Sequence, residues 1–392
     1  MKALTWQGVS DVRVDNVADP TIRDPTDIIV RITTTGLCGS DLHLYTVLAP
    51  FLDSGDVLGH EPMGIVEAVG PEVTELKVGD RVVIPFNVSC GDCWMCGHDL
   101  HSQCETTQVH EYGCGASLFG YTKLYGQVPG GQAELLRVPF GNFLPIKVPD
   151  GPSDDRFVFL SDVLPTAWQG VAYADVPDGG SLVVLGLGPI GDMAARIATH
   201  QGKRVIGVDL VPERLERVRA RGIETLNLED HDDLPSTIRE MTDGRGPDAV
   251  IDAVGMEAHG SPVAGFAHKI AGMLPDAIAQ PMMENIGVSK LAALLSAIEI
   301  VRRGGTISLS GVYGGAADPL PTLQLFDKQI QVRQGQANVK AWVDDIMPLL
   351  SDDDPLGVES FATHHLPLTD APSAYEHFQK KEQGMIKVVF NP

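Results

Sequence analysis

Residues 181–202 read SLVVLGLGPIGDMAARIATHQG. An apolar run, Ser181–Leu185, ends in Gly186-Leu187-Gly188-Pro189-Ile190-Gly191, and a helix-like stretch follows that is closed by Gly202. Strand, glycine turn and helix are the context in which a GxGxxG run binds a dinucleotide. Gly186 permits the tight turn, Gly188 lets the backbone approach a pyrophosphate, and Gly191 lets helix and strand pack closely. Pro189 and Ile190 complete the run at the helix N-terminus, whose partial positive charge favours the phosphates. A second strand, KRVIGVDL, ends in Asp209. Its carboxylate would accept hydrogen bonds from the adenosine ribose hydroxyls and repel a 2′-phosphate, so NAD is expected rather than NADP. Arg214 either lies against the adenine or is an exposed helix residue without a role.

Outward from this unit, strands alternate with helices. PERLERVRARG has proline at its start and glycine at its end, as helices do, and DAVIDAVG and GTISLSGVYG read as later strands. The expectation is an α/β, doubly wound parallel sheet covered on both faces. Before it, FVFLSDVLPTAWQGVAYA reads as a helix interrupted at Pro165. Roughly the first 150 residues are rich in Gly, Pro, Val and Thr in short punctuated runs, as in an irregular β domain. The C-terminal part is mixed and ends in the strand MIKVVF. The expected organisation is 1–152, a β domain with a cysteine lobe at 88–106; 153–336, the dinucleotide domain; and 337–392, a return to the first domain. Between Gly255 and Arg302, Ser289–Val301 is an apolar helix candidate, and the part before it (most of 256–300) is longer than a βα connection needs.

Two domains agree with a length of 392 residues. With 43% hydrophobic and 21% charged residues the chain is an ordinary globular one. A formal net charge of −23, from 29 Lys+Arg against 52 Asp+Glu, repels nucleic acid and anionic membranes. Its densest acidic stretches, Glu229–Asp233 and Asp352–Asp354, read as solvated loops. No run approaches the roughly 20 apolar residues of a membrane span. The N-terminal MKALTWQGVSDVRV alternates like a strand and has no signal-peptide core, so a cytoplasmic location is expected.

All 6 cysteines lie between Cys38 and Cys114. Cys90, Cys93, Cys96 and Cys104 have the spacing of a closed, tetrahedral structural zinc site. A redox pair would need a thioredoxin-like βαβ pattern, which is not present. Cys114 is left over and is expected to be buried and inert. The cysteine knuckle alone would also suit a zinc-ribbon interaction module.

Two further segments are GLCGSDLH, Gly36–His43, and GHEPMG, Gly59–Gly64. Together with the knuckle and the glycine run, in this order, they resemble the zinc-containing medium-chain alcohol dehydrogenases over essentially the whole chain. The resemblance implies a GroES-like catalytic domain joined to a Rossmann cofactor domain, with NAD and two Zn²⁺ per chain, one catalytic and one structural. Cys38 and His60 would bind the catalytic ion. The family's third ligand is usually a cysteine. Here the matching stretch, LSDVLPT, offers Asp162, which can bind Zn²⁺ and keeps the ligand charge neutralising; by spacing alone it would be a helix cap. Ser40 would take the proton of a zinc-bound alcohol and pass it through the nicotinamide ribose to His43. Thr166 would position the nicotinamide, and Val254 and Val312 would face it. Asp41 would orient His60, Glu61 would lie near the zinc, and Lys387 could reach the pyrophosphate. Asp162, DAVGMEAHG and the long segment after it look like the glutathione-independent formaldehyde dehydrogenases. The implied activity is oxidation, or dismutation, of a small alcohol or aldehyde by a homo-oligomer, with a tetramer favoured over a dimer. The competing readings are a general alcohol or polyol dehydrogenase, a non-catalytic dinucleotide-binding protein and the zinc-ribbon module.

Overall fold

The computed structural model describes residues 1–255, 291–313, 320–350 and 353–392; most of the 256–300 segment, and Asp352 of the second acidic stretch, lie outside them. The chain divides into two compact units, Met1–Pro165 with Ala337–Pro392, and Thr166–Gln336. None of the described helices is long and apolar enough to cross a membrane.

The first unit is mostly β. β1 (Lys2–Gly8) and β2 (Asp11–Asn16) form an antiparallel pair. A second sheet is built around β3 (Ile28–Leu37), which pairs with β4 (Pro62–Val69), with β6 (Leu135–Val138) and with the last strand, β15 (Val388–Asn391). β5 (Arg81–Val83), β7 (Ile146–Lys147) and β14 (His364–Pro367) extend it, in the order β14-β15-β3-β4-β5-β7. Two apolar cores cover this sheet. One joins Leu4, Leu37, Leu44 and Tyr375 to Phe390, and so holds the C-terminal return in place; the other gathers Ile28, Val30, Phe119 and Leu136. Register then decides what the sheet presents. Thr35 of β3 lies opposite Pro62 of β4, and the Gly36 amide donates to the Glu61 carbonyl at 3.0 Å. The end of one strand and the start of its neighbour therefore bring Cys38 and His60 to the same edge.

The expected helix at 157–174 breaks elsewhere than predicted. A 3₁₀ turn, Val158–Ser161, ends at Asp162, and an α-helix runs Val163–Ala174. Pro165 sits in the first turn of that helix, where its missing amide hydrogen has no intrahelical partner to lose. The interruption falls instead at Asp162, whose φ of −152° and ψ of −66° lie outside the ordinary regions.

Among the described residues the second unit holds six parallel strands: β8 (Ser181–Leu185), β9 (Arg204–Asp209), β10 (Glu224–Asn227), β11 (Ala249–Asp252), β12 (Thr306–Leu309) and β13 (Gln331–Gln334). Their order is β10-β9-β8-β11-β12-β13. Helices Pro189–His200, Pro212–Arg219 and Leu234–Met241 follow β8, β9 and β10. The apolar candidate near residue 295 is the helix Ala292–Ile300, nearly all of it buried. Val183, Ile206, Val250, Leu295 and Ile307 share one core, as the uninterrupted apolar strands require. Chain order reverses between β8 and β11, which opens a crevice at the C-terminal ends of those strands.

Candidate functional site

In the first unit Cys38, His60, Glu61 and Asp162 place one ligand atom each within 4.8 Å of one another, all buried. The Asp162 Oδ2 lies 3.5 Å from the Cys38 Sγ and 3.4 Å from the His60 Nε2. A tetrahedral zinc with bonds of about 2.3 Å to sulfur and about 2.1 Å to nitrogen and oxygen would set those edges near 3.6 and 3.4 Å. Asp162 does stand at the start of a helix, but its carboxylate is turned to Cys38 and His60.

Asp41 orders two of these groups at once. Its Oδ2 accepts the Cys38 amide hydrogen at 2.9 Å, and its Oδ1 is 3.1 Å from His60 Nδ1. The second contact fixes the imidazole so that Nε2 faces Cys38 and Asp162, the arrangement that carboxylate–histidine–metal sites use. The donor set has excess negative charge. Burial and the carboxylates of Asp162 and Glu61 push the Cys38 thiol up to about 11. Burial disfavours a charged His60, yet Asp41 and Asp162 hold its pKa well above the usual value. A divalent cation among these ligands would answer both effects, so the residues fit one.

Ser40 and His43 lie on the helix Gly39–Thr46, three residues apart and hence on one face. The Ser40 Oγ is 3.2 Å from the Cys38 Sγ and 3.3 Å from the His60 Nε2, against two of the clustered donor groups. Glu61 is fully buried, and its Oε2 accepts from the Lys387 ammonium. Lys387 is itself fully buried and also donates to the Leu37 carbonyl at 3.0 Å. The sequence reading sent this lysine toward a pyrophosphate; its ammonium is engaged on the sheet's own strand end instead. The Glu61 Oε1 has no hydrogen-bond partner among the described residues. Phe86 and Tyr121 present edge-on rings to His60, with centroids 6.4 and 6.5 Å away. Both come from loops without a motif, so nothing in the sequence singled them out.

The knuckle cysteines also converge within 4.8 Å. The Cys93 and Cys104 sulfurs are 3.9 Å apart, far beyond a disulfide and close to the roughly 3.8 Å edge of a ZnS₄ tetrahedron. Backbone amides of Asp92, Cys96 and Glu105 donate to the Cys90 and Cys93 sulfurs at 3.4 to 3.5 Å. Burial alone would raise Cys93, but the Cys96 and Glu105 amides help bring it down to about 6, favouring the thiolate that a metal needs. Cys114 stands apart and is half-buried rather than buried, its Sγ 3.8 Å from the Tyr112 carbonyl.

In the second unit Gly186 takes φ +84°, and a Cβ on Gly191 would fall 1.8 Å from the Gly186 carbonyl oxygen, so both positions require glycine. A Cβ on Gly188 would meet nothing nearer than the Arg214 guanidinium at 3.7 Å. Among the described residues no neighbour demands glycine there, so the turn is open on that side. The Asp209 Oδ2 accepts the Leu187 amide at 2.6 Å and lies 3.7 Å from Arg214, joining the glycine turn to the end of β9. Val254 packs on the same turn: a Cβ on Gly186 would lie 2.7 Å from its Cγ2. Val312 is exposed beyond β12, and Thr166 is half-buried in the first part of its helix.

Sequence models of known families match both regions. The alcohol dehydrogenase GroES-like domain matches residues 24–150, and the zinc-binding dehydrogenase domain matches residues 189–263. An uncharacterised zinc-type alcohol dehydrogenase-like protein of Bacillus subtilis is 40% identical over 398 residues, covering 100% of both chains. The chain belongs to the zinc-type alcohol dehydrogenases. As a zinc-type alcohol dehydrogenase it is an oxidoreductase. An alcohol dehydrogenase from Thermus sp. ATN1 has a structure similar to it, with a TM-score of 0.84, 35% identity and 100% coverage of both chains. A glutathione-independent formaldehyde dehydrogenase of Pseudomonas aeruginosa is 30% identical and covers 96% of this chain and 94% of its own. Membership of the alcohol dehydrogenases sets aside the zinc-ribbon module.

Proposed function

We propose that the chain oxidises a small alcohol or an aldehyde hydrate, with NAD as acceptor, at a zinc ion held by Cys38, His60 and Asp162. The observation that carries this reading is the meeting of those three ligand atoms, Asp162 at tetrahedral spacing from each of the other two, with the Ser40 hydroxyl against Cys38 and His60. Bound there, zinc would polarise the substrate oxygen and lower its pKa. Ser40 would accept the proton at Oγ, and His43, on the same face of its helix, would hand it to solvent. Asp41 keeps the imidazole oriented while this happens. Phe86 and Tyr121 would line the approach and favour a small substrate. In the second unit the glycine turn would hold the pyrophosphate, and Asp209 the adenosine ribose, with Val254 and Val312 on the nicotinamide side. The four cysteines would hold a second, structural zinc.

Asp162 in place of a cysteine, and similarity to a formaldehyde dehydrogenase along nearly the whole chain, support formaldehyde hydrate as the substrate. The test is NADH formation by zinc-loaded enzyme in glutathione-free buffer, with formaldehyde against a panel of primary and secondary alcohols. Strong turnover of formaldehyde supports the reading, and dismutation would appear as methanol formed with formate. Turnover confined to longer alcohols makes the enzyme a general alcohol or polyol dehydrogenase. A homo-oligomer is part of the same proposal. β13 is exposed along its whole length at the edge of its sheet, and Phe326 on the preceding helix is 82% exposed. Such an edge is suited to pairing with a second copy, and light scattering would read the assembly.

A further inference from the structure

Asp252 ends β11 and is fully buried, although a strand end asks for no charge. Its Oδ1 accepts the amide hydrogens of Val254 at 2.9 Å and Gly255 at 3.2 Å. Its Oδ2 accepts the Tyr313 hydroxyl. One carboxylate therefore joins the loop after β11 to the loop after β12. Its backbone does the same, since its carbonyl accepts the amides of Ser310 and Gly311 at 3.0 and 2.8 Å. The two loops touch backbone to backbone: a Cβ on Gly311 would fall 2.3 Å from the Gly255 nitrogen, and one on Gly255 would fall 2.6 Å from the Val312 nitrogen. The Tyr313 ring packs on the core beneath the sheet.

The position of this junction gives it a use. A dinucleotide crosses a doubly wound sheet where strand order reverses, here between β8 and β11. Asp209 marks the adenosine half, on the β9 side. The other half must then lie over the ends of β11 and β12, where Val254 and Val312 are held. We propose that Asp252 and Tyr313 are positioning residues that lock these two loops into the receptor for the nicotinamide half of the cofactor. The proposal rests on the dinucleotide reading given above. A buried carboxylate suits the task, because it takes donors from both loops at once and tolerates only one arrangement of them.

The experiment is calorimetric titration of the full chain with NADH and, separately, with ADP-ribose, which lacks the nicotinamide. Tyr313→Phe keeps the packed ring and removes the hydroxyl. It is expected to weaken NADH binding about tenfold while ADP-ribose stays within about twofold. Asp252→Ala removes the acceptor that both loops share and is expected to weaken NADH binding at least as much, with ADP-ribose again within about twofold. Equal weakening of both ligands in Tyr313→Phe, or weakening of neither, overturns the proposal. A wild-type protein that binds neither ligand overturns the dinucleotide reading and this inference with it.

Discussion

Replacing Lys387 by methionine would leave a buried anion without its partner. Lys387 and Glu61 are both fully buried, and the ammonium serves the Glu61 Oε2 and the Leu37 carbonyl together. With the Glu61 Oε1 already unpartnered among the described residues, the variant would strand the whole carboxylate and one backbone carbonyl. Breaking a buried pair from one side costs about 3–5 kcal/mol, whereas replacing both charged members by neutral groups is close to neutral. Lys387→Met should therefore lose about 3–5 kcal/mol of stability, and the double variant Glu61→Gln with Lys387→Met should regain most of it. Urea unfolding followed by tryptophan fluorescence reads the right part of the molecule, because Trp6, Trp94 and Trp342 lie in the first unit and only Trp168 in the second. A loss below about 1 kcal/mol in the single variant, or a double variant as unstable as the single, would refute the argument that this pair is a desolvated and mutually dependent one.

Further expectations are specific to single groups. Asp209→Ala should weaken NADH binding about tenfold or more in a fluorescence titration and narrow the gap to NADPH, because it removes the charged acceptor beside Arg214; an unchanged preference would place the ribose elsewhere. Cys104→Ser should release about one zinc per chain, read by metal analysis, and lower the thermal midpoint, since its buried sulfur is one of four expected ligands. Asp248 accepts hydrogen bonds from the Ser181 amide and the Arg302 guanidinium. Burial opposes its charge, but these donors hold its pKa below the ordinary carboxylate value. With the folded pKa lowered, its contribution is complete above about pH 4 and is lost as pH falls through the folded value. Asp248→Asn should accordingly show a shallower fall of the thermal midpoint between roughly pH 5 and 3 than wild type does; an identical acid profile would show that the carboxylate contributes nothing there.

What could be read from the sequence follows from how local each signal is. The glycine turn and the cysteine knuckle are continuous stretches in which spacing alone states the geometry; the four sulfurs lie within 4.8 Å of one another and Gly186 takes a positive φ. The strands of the second unit were legible because their two-sided burial makes them uninterrupted apolar runs. Cys38, His60 and Asp162 span 124 residues between the first and the last. No periodicity joins them; resemblance alone associates them in the sequence, whereas in the fold the register of β3 on β4 sets Cys38 beside His60 and the break before the helix Val163–Ala174 turns Asp162 to both. Proline marks the wrong break between residues 157 and 174, because a proline in a helix's first turn costs little, while the helical geometry lapses at Asp162. The resemblance points Lys387 toward a pyrophosphate; its partner in the fold is Glu61, 326 residues away, which no local pattern in the chain announces. Phe86, Tyr121 and the Asp252–Tyr313 junction are products of loop packing, which leaves no pattern in the chain.

The central claim, that Asp162 completes a catalytic zinc site with Cys38 and His60, is tested most directly by the zinc content of wild type and of Asp162→Ala. The expected result is about two zinc ions per chain in wild type and about one in the variant, with turnover abolished and NADH affinity retained. An Asp162→Ala protein that keeps both ions and its turnover would contradict the claim.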